Sequence, residues 1–223
     1  MITGRLYRLW LRGRFLLFQR HRHRRLVLER LAGLPLLVLP DVFNPTLFLT
    51  TPFFASTLDA NLVPPGSRVL EVGTGSGALA LVAARLGALV TAIDINPEAV
   101  RCARLNAELN RFEDRVEAIQ GDLFSPVRGR RFDVVLTNPP FYCGTPRDLW
   151  DTAWRSEDFF VRFTAQLGAH LAPSGHALVL LSTAAPTQAF FDGCRDSGLA
   201  TEPLRQRAMP SETLTLYRIR RAS

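Results

Sequence analysis

The sequence predicts an α/β fold built on a doubly wound, mostly parallel seven-stranded sheet, on three observations. First, apolar strand-like runs at 68–72, 89–94, 115–120 and 132–137 are interleaved with helical stretches at about 76–86 and 97–110. Such alternation is the pattern of a parallel sheet with right-handed crossovers. Second, the early runs are near-continuously apolar, as expected of strands covered by helices on both faces. Third, Gly73, Gly75 and Gly77 stand where the first of these strands meets its helix, and Asp94 closes the next strand about 20 residues later.

A chain of 223 residues, 47% of them hydrophobic, suffices for one sizeable domain and argues against disorder. No apolar run reaches the roughly 18 residues that mark a membrane span. The first 30 residues lack the apolar core and cleavage site of a secretory signal. Cys102, Cys143 and Cys194 are widely spaced, which predicts neither a disulfide framework nor a zinc site. A reducing, cytoplasmic setting is expected.

Charge is concentrated at one end. Residues 1–30 hold nine arginines and one glutamate, a net of +8, whereas the whole chain carries only +7. The remainder is close to neutral. A basic arm over residues 1–40 is therefore expected to precede a catalytic domain at 41–223. It could contact phosphate, lie on an anionic membrane surface, or stay solvated.

In chain order, residues 5–32 place Arg among Leu, Trp10, Phe15 and Phe18 at loosely helical spacing, predicting one or two short helices. His21 and His23 fall in a solvated arginine run and are not expected to bind metal. A short strand at 36–39 lies between prolines. The Asp41–Thr46 segment is turn-like, and Pro52 fits the start of a helix, where its missing N–H costs little. Pro64-Pro-Gly66 breaks the chain before the main domain. After the fourth strand come a helix at about 157–172, a strand at 176–182 and a helix at about 186–197. Strands near 200–208 and 213–220, turning at Pro210-Ser211, predict a closing antiparallel hairpin.

Ligands of doubly wound sheets bind off the carboxyl ends of the strands, at the switch point. The glycines let the backbone turn tightly and approach a ligand there. Asp94 is placed to accept from ribose hydroxyls, Asn96 to cap the following helix, and Asp122 to accept from an adenine amine. Glu71 at the strand end is a poor neighbour for pyrophosphate but suits a cationic ammonium.

Thr137-Asn138-Pro139-Pro140-Phe141 follows the fourth strand. Consecutive prolines fix φ and restrict their neighbours, so Asn138 is expected in one pose. Its side-chain oxygen and the Pro139 carbonyl would face one pocket, two acceptors for the two hydrogens of a planar NH2. Phe141 or Tyr142 offers a π-face for a flat substrate. Two positioned acceptors can turn a delocalised nitrogen lone pair toward an electrophilic methyl.

With these residues in view, 66–141 resembles a class I S-adenosylmethionine-dependent methyltransferase, of the Asn-Pro-Pro-Phe amino-methylating, HemK/PrmC-like kind. The resemblance rests on Glu71–Gly77, Asp94-Ile-Asn-Pro97, Gly121-Asp-Leu123 and Asn138-Pro-Pro-Phe141, and extends to the 205–214 ending. It implies a Rossmann-like methyltransferase fold with S-adenosyl-L-methionine as cofactor and no metal. The implied cofactor contacts are Glu71, Gly73, Thr74, Gly75, Gly77, Asp94, Ile95, Asp122, Leu123 and Asn138. The implied catalytic set is Asn138, Pro139, Pro140 and Phe141, with Phe141, Tyr142 and Trp154 toward the substrate. Thr46–Thr51 stands where the family often has an acidic stretch, and Phe141 where glutamine-modifying members commonly have Tyr.

The expected activity is methyl transfer to a planar NH2 nitrogen, foremost a protein glutamine amide of release-factor type. The exocyclic amine of adenine or guanine in RNA or DNA, a small molecule, and a non-catalytic cofactor-binding partner subunit are the competing readings. The expected partners are a protein or RNA carrying the NH2 group, with phosphate contacts through the arginine-rich arm. Trp150 and Trp154 in the 142–158 loop border the substrate entrance or anchor the core.

Overall fold

The computed structural model describes residues 25–222. The helices expected before residue 25, with His21, His23 and most of the basic arm, lie outside the described residues. The first described element is a strand hairpin, β1 (Val27–Leu31) and β2 (Leu34–Val38). Helical spacing does not prevail here. Ala32 (φ 50°) and Gly33 (φ 82°) turn the chain in the left-handed region, and Leu31 pairs directly with Leu34. Burial on β1 then alternates with period two, Leu28 and Arg30 facing solvent and Leu31 the core.

A 3-10 turn at Pro45–Leu47 and helix α1 (Thr50–Ala55) follow. The main sheet then begins with β3 (Arg68–Val72), helix α2 (Ala78–Arg85), β4 (Leu89–Asp94), helix α3 (Pro97–Leu109) and β5 (Val116–Gln120). It continues with β6 (Phe132–Thr137) and two-residue strands β7 (Tyr142–Cys143) and β8 (Arg155–Ser156), which pair with each other. Helix α4 (Phe159–His170), β9 (Leu171–Ser182), helix α5 (Gln188–Asp196), β10 (Leu199–Ala208) and β11 (Thr213–Arg221) complete the described chain. The strand order is β10-β11-β9-β6-β3-β4-β5, seven strands as expected, with β11 antiparallel to both of its neighbours.

Two features of the main domain depart from expectation. β9 starts at Leu171 rather than 176, because Phe132 already pairs with Leu171 before an irregularity around Pro173-Ser174-Gly175. The β7–β8 pair was not expected, since two-residue strands leave no periodic signal.

The core has two layers. One packs β1, β2, α1, α2 and α3 on one sheet face, and the other packs α4 and α5 on the opposite face. Every residue of α2 except Arg85 is buried, which its small, apolar sequence permits. α3 buries only the stripe Ala99, Val100, Cys102, Ala103 and Ala107, with Asn106 beside it.

Asn106 is fully buried and ties the hairpin to the glycine turn. Its Oδ1 accepts from the Leu37 N–H at 2.7 Å, while Nδ2 donates to the carbonyls of Leu37 (2.6 Å) and Ser76 (2.8 Å). The hairpin is thereby bound to the same core as the sheet.

Candidate functional site

Beyond the carboxyl ends of β3, β4 and β6 lies a cavity of about 1030 Å³. Its floor is the turn after β3. Gly73, Gly75 and Gly77 take φ of 75°, 55° and 80°, a region closed to most side chains. The Gly73 and Thr74 N–H groups donate to the Ile93 carbonyl at 2.9 and 3.0 Å, locking the turn to β4. Gly77 is also tightly packed: a Cβ there would lie 3.0 Å from Ala103 Cα and Cβ, so α3 crosses close behind the turn.

Glu71 is buried at the cavity wall. Its Oε2 accepts from the Thr74 hydroxyl at 2.6 Å and the Ala80 N–H at 3.0 Å. Burial dominates its electrostatics and pushes its pKa up to about 8, the Asp94 carboxylate adding to the rise. A cation bound beside it would reverse that balance.

Asp94 caps the turn from the other side. Its Oδ2 accepts from the Gly75 N–H at 2.8 Å and its Oδ1 from the Asn96 N–H at 2.9 Å. Burial raises its pKa too, against the lowering effect of these bonds. A carboxylate has about four lone-pair sites, so both oxygens can still accept from a ligand's hydroxyls. Asn96 caps α3 as expected, accepting from the Glu98 N–H at 3.0 Å, and also donates to the Asp41 carbonyl.

Ile95, Asp122 and Leu123 line the same cavity. Ile95 leaves 44% of its surface exposed, an apolar face for a flat ring. Leu123 sits at φ 50°. One oxygen of Asp122 takes the guanidinium of Arg162 from α4, a partner with no sequence signal, since Arg162 lies 40 residues away. Asp122 Oδ1 makes no such bond among the described residues.

Across the cavity, Asn138, Pro139, Pro140 and Phe141 follow β6, anchored by the Thr137 hydroxyl donating to the Val72 carbonyl at 2.9 Å. Asn138 Nδ2 lies 3.2 Å from Thr51 Oγ1 and 3.4 Å from Thr50 Oγ1. Sequence reading singled out neither threonine. Tyr142, half exposed, lines the mouth, with the Arg155 guanidinium 5.9 Å from its ring centre.

Trp154 lines the cavity and packs edge-on against Phe43 (5.0 Å) and Phe48 (4.7 Å). This cluster joins the 142–156 loop to the segment before α1 and roofs the site. Asp151 holds the loop's shape, bonded to Arg147 at 3.2 Å and paired with Arg155 at 3.5 Å. The Arg147 guanidinium holds the Asp151 carboxyl below the usual range.

The observed donors and acceptors fit the expected cofactor: a buried carboxylate for an ammonium, a second one for hydroxyls, and apolar walls for a ring.

A family model described as methyltransferase small domain matches residues 34–192. A Methanocaldococcus jannaschii protein, provisionally named a protein N5-glutamine methyltransferase, is 30% identical over 82% of this chain and 93% of its own length. A release factor glutamine methyltransferase of Aquifex aeolicus is 35% identical over 36% of this chain and 28% of that protein. A ribosomal protein L11 methyltransferase of Desulfitobacterium hafniense is 45% identical over 40% of this chain. The chain spans only about a quarter of the length of such longer relatives, 28% for the D. hafniense protein.

Among solved structures, a Thermus thermophilus 16S rRNA N2 G1207 methyltransferase, determined with AdoMet and guanosine, aligns with a TM-score of 0.66. It is 22% identical, covering 88% of this chain and 50% of that one. A ribosomal protein L11 methylase from Lactobacillus delbrueckii subsp. bulgaricus gives 0.61 at 20% identity, covering 83% and 84% of the two chains. Both show the same fold.

Proposed function

We propose that this chain, which belongs to the methyltransferase small domain family, transfers a methyl group to the side-chain amide nitrogen of a protein glutamine. Its cofactor is S-adenosylmethionine. The observation that carries the reading is the meeting of Asn138 and Pro139 with the glycine turn, Glu71 and Asp94 around one cavity. The glutamine target draws on the M. jannaschii relative, which is matched over nearly its whole length.

Bound S-adenosylmethionine supplies a methyl carried on a sulfonium and leaves as a neutral thioether. Glu71 would hold its ammonium, Asp94 its ribose hydroxyls, and Ile95, Asp122 and Leu123 its adenine. Asn138 and the Pro139 carbonyl would each take one N–H of the acceptor, aiming the nitrogen lone pair along the S–C axis. They also stabilise the positive charge that grows on nitrogen as the N–C bond forms. Neither oxygen is basic enough to keep the proton afterwards, so water carries it away. Phe141 and Tyr142 would lie against the planar amide.

Incubation with methyl-labelled S-adenosylmethionine and lysate of cells lacking the gene tests this. Label lost to protease and kept through nuclease is the expected result. Label lost only to nuclease would replace glutamine with a nucleobase amine, and label surviving both treatments would point to a small molecule.

The nucleobase reading has one structural observation of its own. Strand register puts Arg205, Arg207, Arg218 and Arg220 on one face of the β10–β11 hairpin, whose 209–212 turn reaches the cavity. Among the described residues only Arg218 has a carboxylate partner there, Glu202 at 2.8 Å. If this face and the arginines before residue 25 grip phosphate, RNA binding will weaken steeply with salt. An RNA affinity insensitive to salt, or to Arg205→Glu with Arg207→Glu, disposes of that reading.

No helix among the described residues is long and apolar enough to cross a membrane. A cytoplasmic site of action, with a protein partner carrying the glutamine, belongs to the same proposal.

A further inference from the structure

We infer that Thr50 and Thr51, at the start of α1, are positioning residues that hold the Asn138 side chain in place over the cavity; this rests on the methyl-transfer reading above. A hydroxyl can accept from an amide NH2 or donate to an amide oxygen, so two of them grip whichever end of the asparagine side chain they face. Both threonine oxygens lie on the same end, Nδ2, at 3.2 and 3.4 Å. Oδ1 is left to the cavity, with no hydrogen-bond partner among the described residues.

The helix start explains why these hydroxyls are available. Further along, Ser56 and Thr57 spend their hydroxyls on the Phe53 carbonyl behind them. Thr50 and Thr51 stand in the first turn, where no helical carbonyl lies behind, so their oxygens meet Asn138 instead. Thr51 is 4% exposed, which keeps water from competing for this contact.

The prolines complete the support. Pro139 and Pro140 each fix φ and restrict the residue before them, so the backbone after Asn138 is stiff while Thr50 and Thr51 hold its side chain. Thr50 and Thr51 are positioning residues, acting through Asn138.

The test uses the full chain with labelled cofactor and the same gene-deletion lysate as acceptor. The Asn138 side-chain NH2 signal in a 15N spectrum is identified by its loss in Asn138→Ala. Thr51→Val removes the acceptor oxygen at nearly constant volume. It is expected to speed solvent exchange of the Asn138 NH2 and slow methyl transfer about 10- to 100-fold, since small misplacements cost that much. Cofactor affinity should stay within about twofold, and Thr51→Ser should recover both rate and protection.

In an Asn138→Ala background, Thr51→Val should add nothing, because a residue acting through Asn138 has nothing left to position. Unchanged exchange and rate in Thr51→Val, or an additive loss in the double variant, would overturn the orienting role. Wild-type transfer by Asn138→Ala would instead overturn the methyl-transfer reading, so the two failures are distinguishable. If Thr51→Val does not fold, Thr50→Val provides the same comparison.

Discussion

The carboxylate of Glu71 accepts the N–H of Ala80 at 3.0 Å, so the penultimate residue of β3 caps the helix its own strand leads into. No side chain at Gly77, the N-cap position of α2, could do so. The same carboxylate faces the cavity, which couples helix capping to ligand charge.

That coupling predicts a pH dependence. With its pKa raised from 4.5 to about 8, Glu71 binds a proton more tightly in the folded than in the unfolded chain. Its contribution to stability is therefore greatest below about pH 4.5 and declines as pH rises toward 8. A cationic ligand favours the ionised form. At pH 7, binding of S-adenosylmethionine should release a proton, measurable by calorimetry in buffers of different ionisation enthalpy. Its affinity should rise between about pH 6.5 and 8. Glu71→Gln should bind more weakly, release no proton and lose the pH dependence.

Asp94→Asn replaces one acceptor oxygen by a donor facing the N–H of either Gly75 or Asn96. Hydrogen bonds to charged groups are worth about 1.5–3 kcal/mol, so S-adenosylmethionine affinity should fall about 10- to 100-fold in equilibrium dialysis. Retention of wild-type affinity would remove Asp94 from the cofactor contacts.

Gly77→Ala and Gly73→Ala separate backbone strain from packing. Both positions have φ near 75–80°, but only at Gly77 would a Cβ meet Ala103 at 3.0 Å. The Gly73 variant should lose about 1–2 kcal/mol from left-handed strain alone. The Gly77 variant should lose about 1–3 kcal/mol more from overpacking. At about 2–4 °C per kcal/mol for a chain of this size, thermal melts will resolve the pair.

Asn106→Leu keeps the branched shape but leaves the Leu37 N–H and the Ser76 carbonyl without that partner. A loss of about 2–4 kcal/mol is expected in denaturant titration, from at least two buried groups left unsatisfied. Hydrogen exchange should increase at Leu37 in particular, since its amide donates to Asn106.

Much of the sheet was legible because its signals are local. Continuous apolar runs mark strands buried on both faces, and β3, β4 and β6 fall at their expected residues. Glycines at 73, 75 and 77 announced a tight turn open to close approach, and all three take positive φ there. The strand expected at 36–39 is β2, but its partner at 27–31 was misread for the opposite reason. Its apolar residues also fit a helical spacing, and the choice went to the partner strand that Gly33 folds back onto it.

From the sequence alone came the order of the main-sheet strands and their helices, the turn after β3, and the polar residues at or near the strand ends: Glu71, Asp94, Asp122 and Asn138. Each follows from torsional preference or burial period within a few neighbouring residues. Tertiary structure alone decided how those groups are held. Thr51 meets Asn138 across 87 residues, Asn106 meets Leu37 across 69, and Arg162 meets Asp122 across 40. A side chain's hydrogen-bonding capacity is written in its type, but its partner depends on which segments the strand order brings side by side. Here β6 lies next to β3, where α1 comes within reach of Asn138.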